Sequence, residues 1–204
     1  MDSNSKLKLT HMALFVRDLD KMADFYTNVL GLTVTDQGEA KSAPVQMVFM
    51  SSDPGEHHQF VLVDGRPEYA TFSVAQQISF LVDSLDDLRA ARDRVAAAGS
   101  EIARTTTHGN AWSIYFDDPE GNQIEVYAHS PWHIPQPHVH PFDLSLPNDE
   151  ILRQTEAHCR EDPGFMPVSE REKEMKKKMG LETPSDAGMD RMRESIGKNG
   201  DIWP

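Results

Sequence analysis

Apolar and polar residues alternate in the same way along two similar stretches of the chain. Residues 10–20 (THMALFVRDLD) and residues 76–86 (QQISFLVDSLD) are related by an offset of 66 positions. In each, an alternating run typical of a strand leads into Leu-Asp and then into apolar residues at helical spacing that end at a glycine. Repetition at a fixed offset indicates a duplicated unit, whose equivalent positions should play equivalent structural parts.

Each copy is predicted to form a strand, a helix and three further strands. Asp18 and Ser84 are the predicted N-caps of the two helices. The predicted strands cover residues 9–17, 32–35, 45–50 and 59–63 in the first copy, and a start near 76, then 101–104, 111–116 and 123–127 in the second. We therefore expect an α+β domain over residues 8–128, with βαβββ modules at 8–70 and 75–128 whose sheets curve into one open, barrel-like cavity.

The pattern changes after this region. Residues 129–147 hold five prolines and four histidines, which is typical of an extended arm. Helices are predicted over 149–161 and 169–179, the second opened by a capping box of Ser169 and Glu172. Residues 129–204 are thus expected to form a C-terminal arm and helical tail, loosely held towards its end.

Composition restricts the partners and the location. A formal charge of −13 and a pI near 5.0 argue against nucleic acid and anionic membrane surfaces. No window approaches the roughly 20 apolar residues of a membrane span. The single cysteine, Cys159, cannot form an internal disulfide, so we expect a reducing, cytoplasmic location.

Three polar residues point to a metal site. His11 enters the first strand of the first copy, Gln77 holds the equivalent place in the second, and Glu125 lies on a late strand. A histidine and a glutamate in an interior are costly unless they bind something, which favours a metal. The alternative is that Gln77 forms hydrogen bonds in a cavity without a metal.

Two further side chains are candidates for the chemistry. Strand alternation puts His58 on the face of Phe60 and Leu62, so His58 points inward if that apolar face lines the cavity. Tyr115 is in phase with Glu125 if the hairpin between them is tight, as a core tyrosine or as a hydrogen-bond donor in the pocket.

With these residues, the chain resembles the vicinal oxygen chelate superfamily (glyoxalase, bleomycin resistance and extradiol dioxygenase proteins). Residues 56–62 (EHHQFVL), 80–87 (FLVDSLDD) and 113–125 (SIYFDDPEGNQIE) look most like a single-domain type I extradiol dioxygenase. The resemblance implies the following roles: metal ligands at His11 and Glu125, Gln77 in place of a second metal histidine, an acid–base histidine at His58, an active-site tyrosine at Tyr115, and His108 near a further pocket histidine.

The resemblance also implies a reaction. Fe(II), or else Mn(II) or another divalent metal, would bring O2 together with a small catecholic aromatic substrate. Two alternatives stay open: a non-oxidative glyoxalase- or epimerase-like metal enzyme, in which His58 is itself a ligand, and a metal-free protein that binds an aromatic ligand. We expect a homodimer with the C-terminal arm in its interface.

Overall fold

The computed structural model describes residues 7–41 and 43–181. The predicted loose end of the tail lies outside the described residues. The first module contains β1 (Met12–Val16), α1 (Leu19–Asp24) followed by a π-helical turn (Phe25–Val29), β2 (Thr33–Glu39), β3 (Gln46–Ser51) and β4 (Phe60–Asp64). The second contains β5 (Ile78–Val82), α2 (Leu85–Ala97), β6 (Arg104–Thr107), β7 (Ala111–Asp117) and β8 (Gln123–His129). Beyond them lie β9 (Trp132–His133), β10 (His140–Pro141), α3 (Asn148–Cys159), β11 (Met166–Pro167) and α4 (Val168–Lys178).

The duplication is confirmed by the strand pairing. The first sheet has the order β1-β4-β3-β2, and the second has the order β10-β6-β7-β8-β5. In both modules the first strand runs parallel to the last, and the other neighbours are antiparallel. The α+β class with two βαβββ modules is therefore confirmed. The two sheets remain open and do not close into a barrel.

The helices of the two modules, α1 and α2, begin where the sequence predicts, for the predicted reason. The side chain of Asp18 accepts a hydrogen bond from the Lys21 amide at 3.0 Å, and Ser84 Oγ accepts from the Asp87 amide at 3.1 Å. Each bond satisfies an amide of a first helical turn that has no partner within its helix. The apolar sides of the helices and sheets share one hydrophobic core.

The turn between β7 and β8 joins the second module to the first. Asp118 accepts hydrogen bonds from the backbone amides of Glu120 and Asn122, which closes the turn. The buried Tyr26 hydroxyl of the first module donates to the same aspartate at 3.0 Å. Glu120 forms ion pairs with Arg17 at 3.5 Å and with Arg66 at 3.4 Å. Polar contacts thus hold the tip of this hairpin against the other module.

The arm packs along the second module as an extra edge strand. In the β10–β6 pairing, His140 lies opposite Thr107 and Pro141 opposite Thr106. Ile134 is fully buried against the turn at Gly109, where an added Cβ would overlap its side chain. The arm is therefore part of the folded domain in its own chain.

Two local predictions are wrong. Strand β6 begins at Arg104 rather than 101, and residues 101–103 lack strand structure. Helix α4 has Pro167 as its N-cap and shows no side-chain cap hydrogen bond, so Ser169 and Glu172 do not form a capping box. Pro167 has φ −59° and ψ 144° and so lies outside the helix, which begins at Val168 and has Ser169 inside its first turn. Within the described ranges, no helix combines the length and the apolar character needed to cross a membrane.

We predict that Gly109→Ala destabilises the protein more than Gly99→Ala does. Both glycines have positive φ, +75° and +79°, so an alanine at either costs about 1 kcal/mol in backbone strain. At Gly99 nothing lies within 4 Å of the added Cβ, whereas at Gly109 it overlaps Ile134. Overpacking should add about 1–3 kcal/mol. Urea unfolding followed by tryptophan fluorescence measures the difference.

A variant that removes the methyl group of Ile134 nearest to the added Cβ provides the control. Ile134→Val should recover part of the loss in the Gly109→Ala background. Equal unfolding free energies for the two alanine variants would show that the arm does not pack against Gly109.

Candidate functional site

A buried carboxylate lies at the centre of the second module's open face. Glu125 on β8 is 7% exposed, and its two oxygens accept three hydrogen bonds from neutral donors. Oε1 accepts from the Tyr115 hydroxyl at 2.5 Å, and Oε2 accepts from Ser79 Oγ at 2.6 Å and Gln77 Nε2 at 2.7 Å. Hydrogen bonds to an ionised acceptor are short and strong, and they offset part of the cost of burying the charge.

Strand register explains why these side chains meet. Tyr115 lies directly opposite Glu125 in the antiparallel β7–β8 pair, and Ser79 lies opposite it in the parallel β5–β8 pair. Alternate residues of the same strands, such as Ile114 and Val126, point to the hydrophobic core on the other side of the sheet. The polar set therefore occupies one face across three neighbouring strands.

Tyr115 lies between a carboxylate and a guanidinium. The Arg104 guanidinium carbon lies 3.9 Å from the centre of the Tyr115 ring, and Arg104 is exposed to solvent. Burial and the hydrogen bond to Glu125 raise the pKa of Tyr115 to about 12. At neutral pH Tyr115 is therefore a hydrogen-bond donor that keeps its proton.

His108 extends this group of side chains. Its Nε2 lies 2.8 Å from the Tyr115 hydroxyl and 3.8 Å from Glu125 Oε1. Its Nδ1 lies 2.7 Å from the backbone carbonyl oxygen of His138. A carbonyl oxygen only accepts, so Nδ1 carries a proton. The side chain of His108 thus contacts Tyr115 through Nε2 and the main chain of the arm through Nδ1.

A second cluster lies at the start of the first module's strands. The rings of His11 and His58 lie 4.5 Å apart between centroids, and Nδ1 of His58 is 2.9 Å from Nδ1 of His57. Phe49 on β3 packs its ring edge-on against His58 at 5.2 Å. Partial burial, followed by the neighbouring imidazoles of His11 and His57, lowers the pKa of His58. This shift favours the neutral form of the His58 imidazole.

The condition that the face of Phe60 and Leu62 lines the cavity is not met, although His58 does lie beside His11. Phe60 and Leu62 pack into the helix-covered core, so their apolar face is not a cavity wall. The strand begins only at Phe60, and its alternation does not extend back to His58. The contact with Phe49 places His58 on the open side of the sheet, because Phe49 lies opposite Val61 and away from the core.

The two clusters remain separate within one chain. Gln77 reaches Glu125, but over the described residues no hydrogen bond, ion pair or ring contact joins His11 or His58 to Glu125 or Gln77. Nor does any group of three or more His, Cys, Asp or Glu side chains in residues 7–41 and 43–181 have the arrangement of a metal site. The roles assigned to His11, Gln77 and Glu125 as ligands stay predictions.

Sequence reasoning missed several members of the site. Ser79 could have been found, since it lies only two residues after Gln77, whose Nε2 donates to its hydroxyl at 2.9 Å. Arg104 was predicted to lie in a strand, but its contact with Tyr115 was not predicted. The contact between His108 and the His138 carbonyl had no sequence signal, because any residue provides a backbone carbonyl.

Comparisons with known proteins agree with this fold. Residues 8–126 match the model of the Glyoxalase/Bleomycin resistance protein/Dioxygenase superfamily. A probable lactoylglutathione lyase of Vibrio parahaemolyticus is 27% identical over 58% of this chain and 88% of its own length. Biphenyl-2,3-diol 1,2-dioxygenase 3 of Rhodococcus globerulus is 30% identical over 58% of this chain. The match spans only 62% of that dioxygenase.

Among solved structures, a glyoxylase/bleomycin resistance protein/dioxygenase domain from Frankia sp. EAN1pec is 25% identical with a TM-score of 0.52. The match covers 62% of this chain and all of that domain. The arm and the helices after it lie beyond the residues that match the family model.

We predict that Tyr115 ionises near pH 12 in the metal-free protein and that Glu125→Gln lowers this value. The lowered pKa should stay above 10, because burial is the larger cause and remains. Absorbance titration at the tyrosinate band, compared with Tyr115→Phe, isolates this residue. Ionisation of Tyr115 near pH 10 in the parent would contradict the described environment.

The same shift has a consequence for stability. The folded state keeps the Tyr115 proton up to about pH 12, whereas the unfolded chain releases it near 10. Stability should therefore fall between pH 10 and 12, and Tyr115→Phe should make that fall shallower.

Proposed function

Because the chain belongs to the Glyoxalase/Bleomycin resistance protein/Dioxygenase superfamily, we propose that it is a metal-dependent extradiol-type dioxygenase that cleaves a small catecholic substrate with O2. One observation carries the proposal. A tyrosine and a histidine are joined by hydrogen bonds next to a buried carboxylate, which places acid–base groups beside a candidate metal ligand. The 30% identity to a biphenyl-2,3-diol dioxygenase supports the same substrate class.

The donor set suits a divalent ion. His11, Gln77 and Glu125 would hold it through one imidazole nitrogen, one amide oxygen and one carboxylate oxygen, a combination acceptable to Fe(II) and Mn(II). Glu125 receives three hydrogen bonds, which leaves acceptor capacity for an ion. When bound, a redox-active ion of this kind supplies the electron transfer that reaction with O2 requires.

The side chains around it would handle the protons. A catechol must lose protons to bind as a chelate, and the neutral imidazole of His58 could accept one. Tyr115 donates its hydroxyl hydrogen bond at neutral pH and would stabilise oxyanion character on the substrate. The His108 Nε2 atom, 2.8 Å from that hydroxyl, would return a proton to the product.

We further propose a homodimer in which the His11 cluster of one copy faces the Glu125 cluster of the other. The two clusters lie on different sheets of one chain without contact. Phe15 on β1 and Leu81 on β5, at equivalent positions of the two modules, are 60% and 53% exposed. Apolar residues at matching open faces favour association of two copies.

A glyoxalase-like lyase is the second candidate. The match to a probable lactoylglutathione lyase covers 88% of that protein, a larger share than for the dioxygenase. A lyase of this kind needs a divalent ion but consumes no O2. The third candidate is a protein that binds an aromatic ligand without a metal and without turnover.

Oxygen uptake tests the dioxygenase proposal. Protein loaded anaerobically with Fe(II) should consume about one O2 per molecule of catechol or biphenyl-2,3-diol cleaved. His58→Gln should keep the metal and lower kcat by about 10²–10⁴-fold, the usual effect of losing an acid–base group. The exposed His129→Gln provides the matched control and should leave kcat unchanged.

Two other outcomes of these experiments would change the proposed function. No oxygen uptake with either diol, despite bound Fe(II), would contradict the dioxygenase function. Loss of metal in His58→Gln would make His58 a ligand and favour the non-oxidative class.

Mixing two variants tests the shared site. His11→Ala and Glu125→Ala should each lose most of their bound metal. If each site takes His11 from one copy and Glu125 from the other, refolding the two variants together should restore about one quarter of the sites. Half of the dimers are then mixed, and each mixed dimer has one intact site out of two. Titration with Mn(II) counts the sites.

A mixture that restores no metal, or a monomer in sedimentation, would overturn the shared site. The result does not depend on which reaction the protein catalyses.

A further inference from the structure

The arm reaches the candidate site although it lies beyond the residues that match the family model. Three hydrogen bonds link His108, Gln136 and His138. Gln136 Nε2 donates to the backbone carbonyl of His108 at 2.7 Å, and Gln136 Oε1 accepts from the backbone amide of His138 at 3.1 Å. The third contact runs from His108 Nδ1 to the carbonyl of His138 at 2.7 Å. The amide of Gln136 thus bridges the main chains of the two histidines.

This bridge restricts the imidazole of His108 in two ways. The His138 carbonyl can only accept, so the proton must be on Nδ1. With Nδ1 held by the arm, the ring has one orientation in which Nε2 faces the Tyr115 hydroxyl at 2.8 Å. A ring flipped about its axis would lose both contacts.

The surrounding packing keeps the arm in place. Ser130 Oγ donates to the Gly109 carbonyl, next to His108 in the chain. Ile134 is fully buried against the same turn, and β10 continues the sheet beside β6. The His108 carbonyl and the His138 amide would otherwise have to find other partners where the arm covers the turn.

We propose that Gln136 is a positioning residue that fixes the orientation and tautomer of His108 through the arm. Its relevance to catalysis rests on the proposed function, but its effect on His108 does not. His108 contacts the Tyr115 hydroxyl, which in turn donates to Glu125. The arm therefore determines which nitrogen of His108 faces these two side chains. Orienting groups of this kind typically change activity by about 10–100-fold when removed.

Nuclear magnetic resonance of the histidine rings tests the proposal directly. Protein labelled with ¹⁵N-histidine and loaded with diamagnetic Zn²⁺ should show a proton on Nδ1 of His108, with the signal assigned by its loss in His108→Asn. In Gln136→Ala this Nδ1 proton signal should weaken and the Nε2-protonated tautomer should become populated. Gln154→Ala is the matched control, because the exposed side chain of Gln154 on α3 donates to Glu150 and, over the described residues, forms no hydrogen bond with His108 or the arm.

A second variant separates a local effect from loss of the arm. Gln136→Glu keeps an acceptor for the His138 amide but replaces the donor to His108 with a carboxylate oxygen that repels its carbonyl. It should show the same tautomer change while far-ultraviolet circular dichroism and unfolding temperature stay close to those of the parent. Turnover of the diols should fall about 10–100-fold in kcat with little change in KM in both variants.

Two results would overturn the proposal: an unprotonated Nδ1 of His108 in the parent, or an unchanged tautomer in both Gln136 variants. Absence of oxygen uptake by the parent would overturn the dioxygenase proposal alone, because the tautomer measurement still decides the role of Gln136.

Discussion

A buried negative charge imposes the main constraint on the second module. Glu125 is almost wholly removed from solvent, and an isolated carboxylate in such a place would lose several kcal/mol of hydration. Its environment therefore has to supply donors at fixed positions. The two strands on either side of β8 do so, since Tyr115 on β7 and Ser79 on β5 lie opposite Glu125 and Gln77 lies just before β5. A slip of one residue in either strand pair would turn the donors into the core and leave the charge unpaired.

The two modules share one backbone pattern but differ at these positions. Ala13 occupies in the first module the place that Ser79 has in the second, and Val61 lies opposite Ala13 where Glu125 lies opposite Ser79. Without a carboxylate on the last strand, the first strand needs no hydroxyl. The first module keeps its polar groups at the strand entrance instead, where His11 and His58 lie together. Duplication thus produced two faces of different chemistry, which two copies could bring together.

The sequence predicted what depends on periodicity and local hydrogen bonding. The repeat, the helix starts at Asp18 and Ser84, and the phase of Tyr115 with Glu125 all follow from spacing along a few residues. The side of the sheet on which His58 lies could not be predicted, because alternation holds only within a strand and His58 precedes it. The docking of the arm could not be predicted from the sequence either. The contact between His108 and the arm uses a backbone carbonyl 30 positions away, and such a group is the same for every residue type.

The hairpin of β7 and β8 is held at both of its ends by different parts of the chain. At the tip, Asp118 closes the turn and accepts from Tyr26, while Glu120 pairs with the two arginines of the first module. At the other end, the arm packs on Gly109 and holds His108. Tyr115 and Glu125 lie between these anchors, on strands already paired along their length. The first anchor uses no residue of the polar set at Glu125, and the second reaches that set only through His108. The geometry of that set is therefore fixed from outside, which leaves its atoms available to a metal and a substrate.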